Sequence, residues 1–337
     1  MFNAEEYEII NIAEQNLYKQ FAKIDETALF NQSKILDAFR ENNVAVRHFA
    51  GTNGYGYDDI GRDTLCKIFA QVFGAEAAIV SPLIVSGTHA ISLALFGILR
   101  PGDTILAISG APYDTLQTVI NGTNNGSLRD LGVKYQQIEL EDGDFDYKKI
   151  QSALSSSKIK LVFLGRSRGY EWRNALNLQQ IEKAADFIKS ISPNTIIMCD
   201  NCYGEFTDKT EPTQHGVDVI AGSLIKNPGG GIAPTGGYIC GKKCLVDLIA
   251  ARLTAPSIGM EVGSYTGGYR LFYQGLFTAP HTVACAIKSA MLFSYVFSDC
   301  NYDTLPKKLQ IPSDIICSIR FDKKDEAIEF IRAIQKT

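Results

Sequence analysis

Apolar residues recur every three to four positions across residues 3–43. From Ala75 onward they break into short β-branched runs separated by longer periodic segments. The first stretch predicts two helices, AEEYEIINIAEQNLYKQFAKI and ETALFNQSKILDAFREN, with Ile9, Ile12, Leu17 and Phe21 at helical spacing and Asn43 as the stop. Residues 50–61, AGTNGYGYDDIG, hold four glycines and two aspartates and predict a loop. Helical spacing resumes over 62–73 and ends at Gly74.

The alternation then settles in. AEAAIVSP predicts a strand, and SGTHAISLALFGIL a helix with Ser86 as its N-cap. DTILAIS (strand), GAPYDT (turn), a helix over 115–120 and the polar turn NGTNNGS follow, then KYQQIEL, a helix at 147–154 and the strand KLVFLG. After the loop RSRGYEWRN and a helix at 178–190, two runs, 195–199 and 217–221, have the length and composition of fully buried strands. Beyond Gly231, GYIC predicts an antiparallel edge strand, 243–252 a helix, 258–275 a Gly/Tyr-rich loop and 279–297 a long helix. The segment SDCNYDTLPKKLQIP leads to a strand at 314–319 and a last helix at 324–335. Strands alternating with helices predict an α/β fold, a mostly parallel sheet with helices on both faces, which binds ligands at the carboxyl ends of its strands. The expected division is an N-terminal helical segment (1–45), a large α/β domain (46–295) and a small, short C-terminal α+β domain (296–337).

Composition narrows the class. With 45% apolar and 21% charged residues the chain can build a sizeable core. A formal charge of −4 gives no footprint for nucleic acid. No apolar run is expected to reach the length of a membrane span; the nearest, 283–297, carries Lys288. Residues 1–20 are acidic and amphipathic, unlike a signal peptide. Of eight cysteines, most fall inside apolar runs, and Cys199 and Cys202 form a single C-x-x-C without the second pair or spaced histidines that zinc requires. Buried thiols in a cytoplasmic protein are the expectation.

The chemistry concentrates at the two buried runs. The first ends in Asp200; the second runs out through Ser223, Leu224 and Ile225 into Lys226 and the turn NPGGG. A lone charge at the end of a buried strand costs several kcal/mol to desolvate, so such groups have partners. A lysine paired with an acid suits pyridoxal 5′-phosphate (PLP), whose aldehyde forms a Schiff base and whose ring nitrogen is held protonated. Desolvation is expected to depress the lysine pKa. Against this, Lys226 could be an ordinary solvated lysine and Asp200 a turn cap. Ser86, Gly87 and Thr88 open a helix directly after a strand, an anion site as well as a cap, and Ser223 could add a contact. Tyr113 could be core or could stack on a ring. Arg168 also follows a predicted strand and could reach the same edge. His89 reads as a satisfied helix histidine; His48, His215 and His281 have no ligand spacing. GGYICGK fits a nucleotide-binding loop, but Lys243 follows where Ser or Thr belongs.

Several stretches together, GYGYDDIGRDTL, SGTHAISLAL, APYDT, RSRGY, CDNCYGEF, GSLIKNPGGGIAPTGGYICG and GLFTAPHTV, resemble the fold type I PLP enzymes of the cystathionine/methionine lyase group. The chain is most similar to the aluminium-resistance subgroup. The resemblance implies an aspartate aminotransferase-like fold and carbon–sulfur lyase activity on a sulfur-containing amino acid. An aminotransferase, an aldolase or a PLP-binding stress protein are the alternatives. It further implies Lys226 as the Schiff-base lysine, Asp200 on the pyridinium nitrogen, Tyr113 stacked on the ring, and Ser86, Gly87, Thr88 and Ser223 as the phosphate cup. Tyr57 would reach the phosphate of a neighbouring subunit, making a homodimer or homotetramer. The partners implied are an amino-acid substrate and other copies of the chain, with no nucleic acid, membrane or metal. Asp59 stands where the group usually has an arginine, for which Arg62 could substitute, and Ile225 where threonine is common. The sequence stops at Thr337, before the longer C-terminal domain of the group with its carboxylate-binding arginine.

Overall fold

A computed structural model of the protein describes residues 4–336; residue 3, the expected start of the first helix, lies outside them. The N-terminal segment is one 38-residue helix, α1 (Ala4–Glu41), rather than two. Nothing between the two predicted helices breaks the ladder: Ile24, Asp25, Glu26 and Thr27 include neither glycine nor proline, and Ile24 is buried on the same face as Leu17 and Ile35. Asn43 does end the turn, with a left-handed φ of 49°.

Helix α2 (Ile60–Val72) leads into strand β1 (Ala77–Ser81), then α3 (Gly87–Ile98), β2 (Thr104–Ala107), α4 (Asp114–Asn121), β3 (Lys134–Gln137), α5 (Tyr147–Ser156), β4 (Leu161–Gly165), α6 (Leu178–Ile191), β5 (Ile196–Asp200), β6 (Val219–Ser223), β7 (Gly237–Gly241) and α7 (Lys243–Leu253). These strands form a seven-stranded sheet in the order β1-β7-β6-β5-β4-β2-β3. All neighbours from β6 to β3 pair parallel; β7 is antiparallel to both β1 and β6. The antiparallel direction of GYIC is as expected, but its edge position is not. Strand β7 sits inside the sheet and is buried along its whole length, because β1 pairs on its far side. Two apolar layers cover the faces. One combines β-strand residues such as Ile220 and Cys199 with α1, α2, α6 and the last long helix; the other packs Met198, Ala221 and Ile239 against α3 and α7.

That long helix, α8 (Arg270–Asp299), starts nine residues before the expected 279. Phe272, Tyr273, Leu276 and Ala279 are buried on one face, so packing overrides the loop-like Gly/Tyr composition. By length and composition α8 could cross a membrane, against the sequence expectation; in the fold it lies along α1 and over the 227–229 turn. Strands β8 (Asp303–Leu305) and β9 (Ser318–Arg320) pair antiparallel, and helix α9 (Lys324–Lys336) follows.

Candidate active site

The carboxyl ends of β5 and β6 face the start of α3. Asp200 is the last residue of β5, in register with Gly165 of β4 and Ala221 of β6. Its Oδ1 accepts the Cys202 amide at 3.1 Å. Burial raises its carboxyl pKa, and the Lys226 charge opposes that. Lys226 follows β6 at the mouth of the Asn227–Gly229 turn. That turn is built on close approach. A Cβ on Gly229 would lie 1.6 Å from the Leu224 carbonyl, and Gly230 has a left-handed φ of 56°.

The Lys226 ammonium stands 4.0 Å over the ring of Tyr203, which holds a left-handed φ of 71°. Burial pulls the amine pKa down, but its acidic neighbours, Cys202 and Asp200 foremost, outweigh it and hold Lys226 above the ordinary lysine range. The expected net depression is therefore reversed. The charge of Asp200, the acid that partners the amine, is one of the causes that keep the amine protonated.

On the opposite side Ser86 caps α3, its hydroxyl accepting the His89 amide at 3.1 Å. Gly87 comes next. A Cβ there would sit 3.3 Å from both Cys202 Sγ and Ser223 Cβ, so glycine leaves the helix start open toward β6. Ser223 is buried, and its hydroxyl accepts the Ile225 amide at 3.4 Å. Thr88 Oγ1 and the Tyr113 hydroxyl share a hydrogen bond at 3.0 Å. Burial and then the charge of Asp200 push the half-buried Tyr113 phenol up, while Thr88 and Lys226 pull it back. Seven of the eight candidate residues thus share one neighbourhood.

Tyr57 stands outside it. It is exposed in the 50–59 loop, tilted against Tyr55 at 5.7 Å. Asp59 caps α2 and accepts hydrogen bonds from Thr52 at 2.6 Å and Tyr269 at 2.9 Å. Arg62 is buried on the Gly56 carbonyl and Asp63. Arg168 also departs from the expected edge: it is buried, donating to the Leu305 and Ile316 carbonyls. His89 Nδ1 accepts the Val85 amide at 3.2 Å. GGYICGK is largely strand β7 rather than a loop. Among the described residues no group of three metal-ligating side chains gathers, and Cys199 and Cys202 are free and buried, their thiols pushed up by burial.

A profile of the methionine gamma-lyase family matches residues 6–337. The chain belongs to that family. Over 323 residues it is 43% identical to the uncharacterized protein YnbB of Bacillus subtilis (strain 168), covering 95% of this chain and 76% of that one. A carbon-sulfur lyase involved in aluminum resistance from Clostridium novyi NT superposes with a TM-score of 0.95 at 45% identity, over 99% of this chain and 80% of the other. The pyridoxal-5′-phosphate dependent protein YhfS of Escherichia coli shares the fold, with a TM-score of 0.67 at 15% identity over 93% and 80% of the two chains. The family resemblance drawn from the motifs is borne out, and the cofactor it brings is PLP. The donor set here fits that cofactor: an acid and an amine at adjacent strand ends, a phenol beside them, and a helix start where no Cβ fills the cradle.

Sequence reading passed over three groups in this neighbourhood. Tyr203 carries the lysine's cation–π contact, Cys202 lines the Gly87 cradle, and Glu205 is buried close by. All three lie in the CDNCYGEF run directly after Asp200. An acid five residues past the end of an apolar strand, followed by phenylalanine, was the available signal.

Proposed function

We propose that this chain is a PLP-dependent carbon–sulfur lyase acting on a sulfur-containing amino acid of the cystathionine, methionine or cysteine type. The observation that carries the reading is the meeting of Asp200 and Lys226 at the ends of neighbouring strands, each acting on the other's charge. When bound, PLP supplies an electron sink for a substrate deprotonated at Cα. In this reading Lys226 would hold the cofactor aldehyde and, once the substrate amine displaces it, would take the Cα proton as general base. Asp200 would hold the ring nitrogen protonated, and Tyr113 would stack on the ring. Ser86, Gly87, Thr88 and Ser223 hold the phosphate, with the α3 helix start supplying amide donors. With one water consumed, the products would be a thiol, a keto acid and ammonia.

The test joins two measurements. Borohydride reduction of the holoenzyme followed by peptide mapping is expected to place the cofactor on Lys226, and incubation with cystathionine, methionine and cysteine to release a keto acid. A label on another lysine, or no keto acid from any of the three, overturns the reading.

The same reading extends to assembly and compartment. Exposed Tyr57 and Tyr55, outside the site of their own chain, suit a homodimer or homotetramer in which a second copy receives Tyr57. Sedimentation of a single-subunit species with full activity would refute that. Free, buried thiols at Cys66, Cys199, Cys202 and Cys240 suit the reducing cytoplasm.

A further inference from the structure

A buried acid lies next to the lysine turn, and the chemistry above leaves it unused. Glu205 is fully buried. Its Oε1 accepts the Tyr238 hydroxyl at 2.7 Å, and its Oε2 has no hydrogen-bond partner. Its backbone carbonyl accepts Asn227 Nδ2 at 2.9 Å. Asn227 is the residue after Lys226, is itself buried, and leaves its Oδ1 without a donor. Two acceptors are therefore orphaned around one contact, in a place where a buried polar atom ordinarily has a partner.

The charged groups facing Glu205 are Lys226 and Glu211; Tyr238 of β7 and the thiols of Cys199 and Cys202 complete its titratable surroundings. Glu211 repels a second negative charge. Arg166, the buried guanidinium on this side, is committed to Glu211 at 3.6 Å and Asp208 at 2.9 Å. Lys226 faces Asp200. An ionised Glu205 would be a fully buried charge met at close range only by the Tyr238 hydroxyl and its own backbone amide, with the Lys226 charge a smaller help. A proton on Oε2 removes the buried charge and turns that orphaned acceptor into a donor. Burial accordingly lifts the carboxyl to about 8, with the Tyr238 hydroxyl pulling it back.

We propose, resting on the role given to Lys226 above, that Glu205 is a positioning residue. It stays protonated in the working enzyme and ties the lysine-bearing turn to the loop after β5. By remaining uncharged it leaves Asp200 as the carboxylate that acts on the Lys226 amine.

Infrared difference spectra of the full chain, with and without PLP, test this directly. The carbonyl stretch of a buried carboxylic acid is expected at neutral pH, disappearing with a midpoint near 8, and missing from Glu205→Gln. Tyr238→Phe removes a donor to the ionised form, so its midpoint shifts upward; this variant serves where Glu205→Gln fails to fold. In the holoenzyme the pH profile of kcat/KM is expected to show a limb at the same midpoint that Glu205→Gln lacks. A spectrum without the band at neutral pH, or with the band retained in Glu205→Gln, overturns the proposal, as does a limb that survives the substitution. The two readings fail separately. A band titrating near 8 in a chain that releases no keto acid sinks the lyase and spares the protonated Glu205. Keto acid without the band does the reverse.

Discussion

Arg166 offers a decisive perturbation because its surroundings are fully enclosed. It directly follows β4, is completely buried, and donates to Asn201 Oδ1 at 3.1 Å, the Gly204 carbonyl at 2.8 Å, Thr207 Oγ1 at 3.1 Å and Asp208 Oδ2 at 2.9 Å. Glu211, also fully buried, sits 3.6 Å away and accepts Asn201 Nδ2 at 2.9 Å and the Phe206 amide at 2.9 Å. The guanidinium therefore holds the whole turn from 201 to 208, which begins next to Asp200. Arg166→Met keeps the bulk and removes the cation, stranding the Glu211 charge. Breaking a buried pair from one side costs roughly 3–5 kcal/mol. Asp208 is 43% exposed and adds little to that cost. For a chain of 337 residues each kcal/mol is worth about 1.4 °C, so the midpoint falls by roughly 4–7 °C in a thermal scan. Urea titrations give the free energy. Adding Glu211→Gln removes the stranded charge and is expected to restore about half of the loss. Acidification helps the single variant as well. Burial raises Glu211 above its ordinary 4.5, and without Arg166 that rise grows, so stability lost at neutral pH returns as pH falls toward that value. A loss below about 1 kcal/mol for Arg166→Met, or a double variant no better than the single, refutes the reasoning.

Three further outcomes follow from the same geometry. Gly87→Ala places a methyl group 3.3 Å from Cys202 Sγ and Ser223 Cβ while improving helix propensity by up to about 1 kcal/mol; the melting point should hold while PLP affinity, read by fluorescence titration, weakens about tenfold or more. Asp200→Asn removes one of the charges that hold the Lys226 proton, so the amine pKa falls; acylation of Lys226 followed by mass spectrometry across pH should show the reactive form appearing earlier, and an unchanged profile would count against the pairing. Glu205 retains in the folded chain a proton that the unfolded chain releases near 4.5, so wild-type stability declines as pH rises from there to about 8. The slope approaches about 1.4 kcal/mol per pH unit, and urea unfolding of Glu205→Gln should lack that component.

Local regularities in the chain were enough for much of this molecule. The switch from helical to short β-branched runs at Ala75 specifies the α/β class, since each run must bury both faces and each helix one stripe. Ser86 announces the start of α3, and Asp200 and Lys226 declare themselves as charges that apolar strands would not tolerate without partners. Other features are invisible to any window of sequence. The continuity of α1 depends on α8 lying beside it, and the burial of β7 on β1 pairing across a long crossover. Glu205 and Arg166 look like surface charges until Tyr238, Asn227 and Glu211, from distant stretches, close around them. Periodicity and capping are set by neighbours a few residues away, so the chain carries them openly. Pairing partners and the charge state of a buried acid depend on which remote atoms exclude water, and that exclusion exists only once the chain has folded.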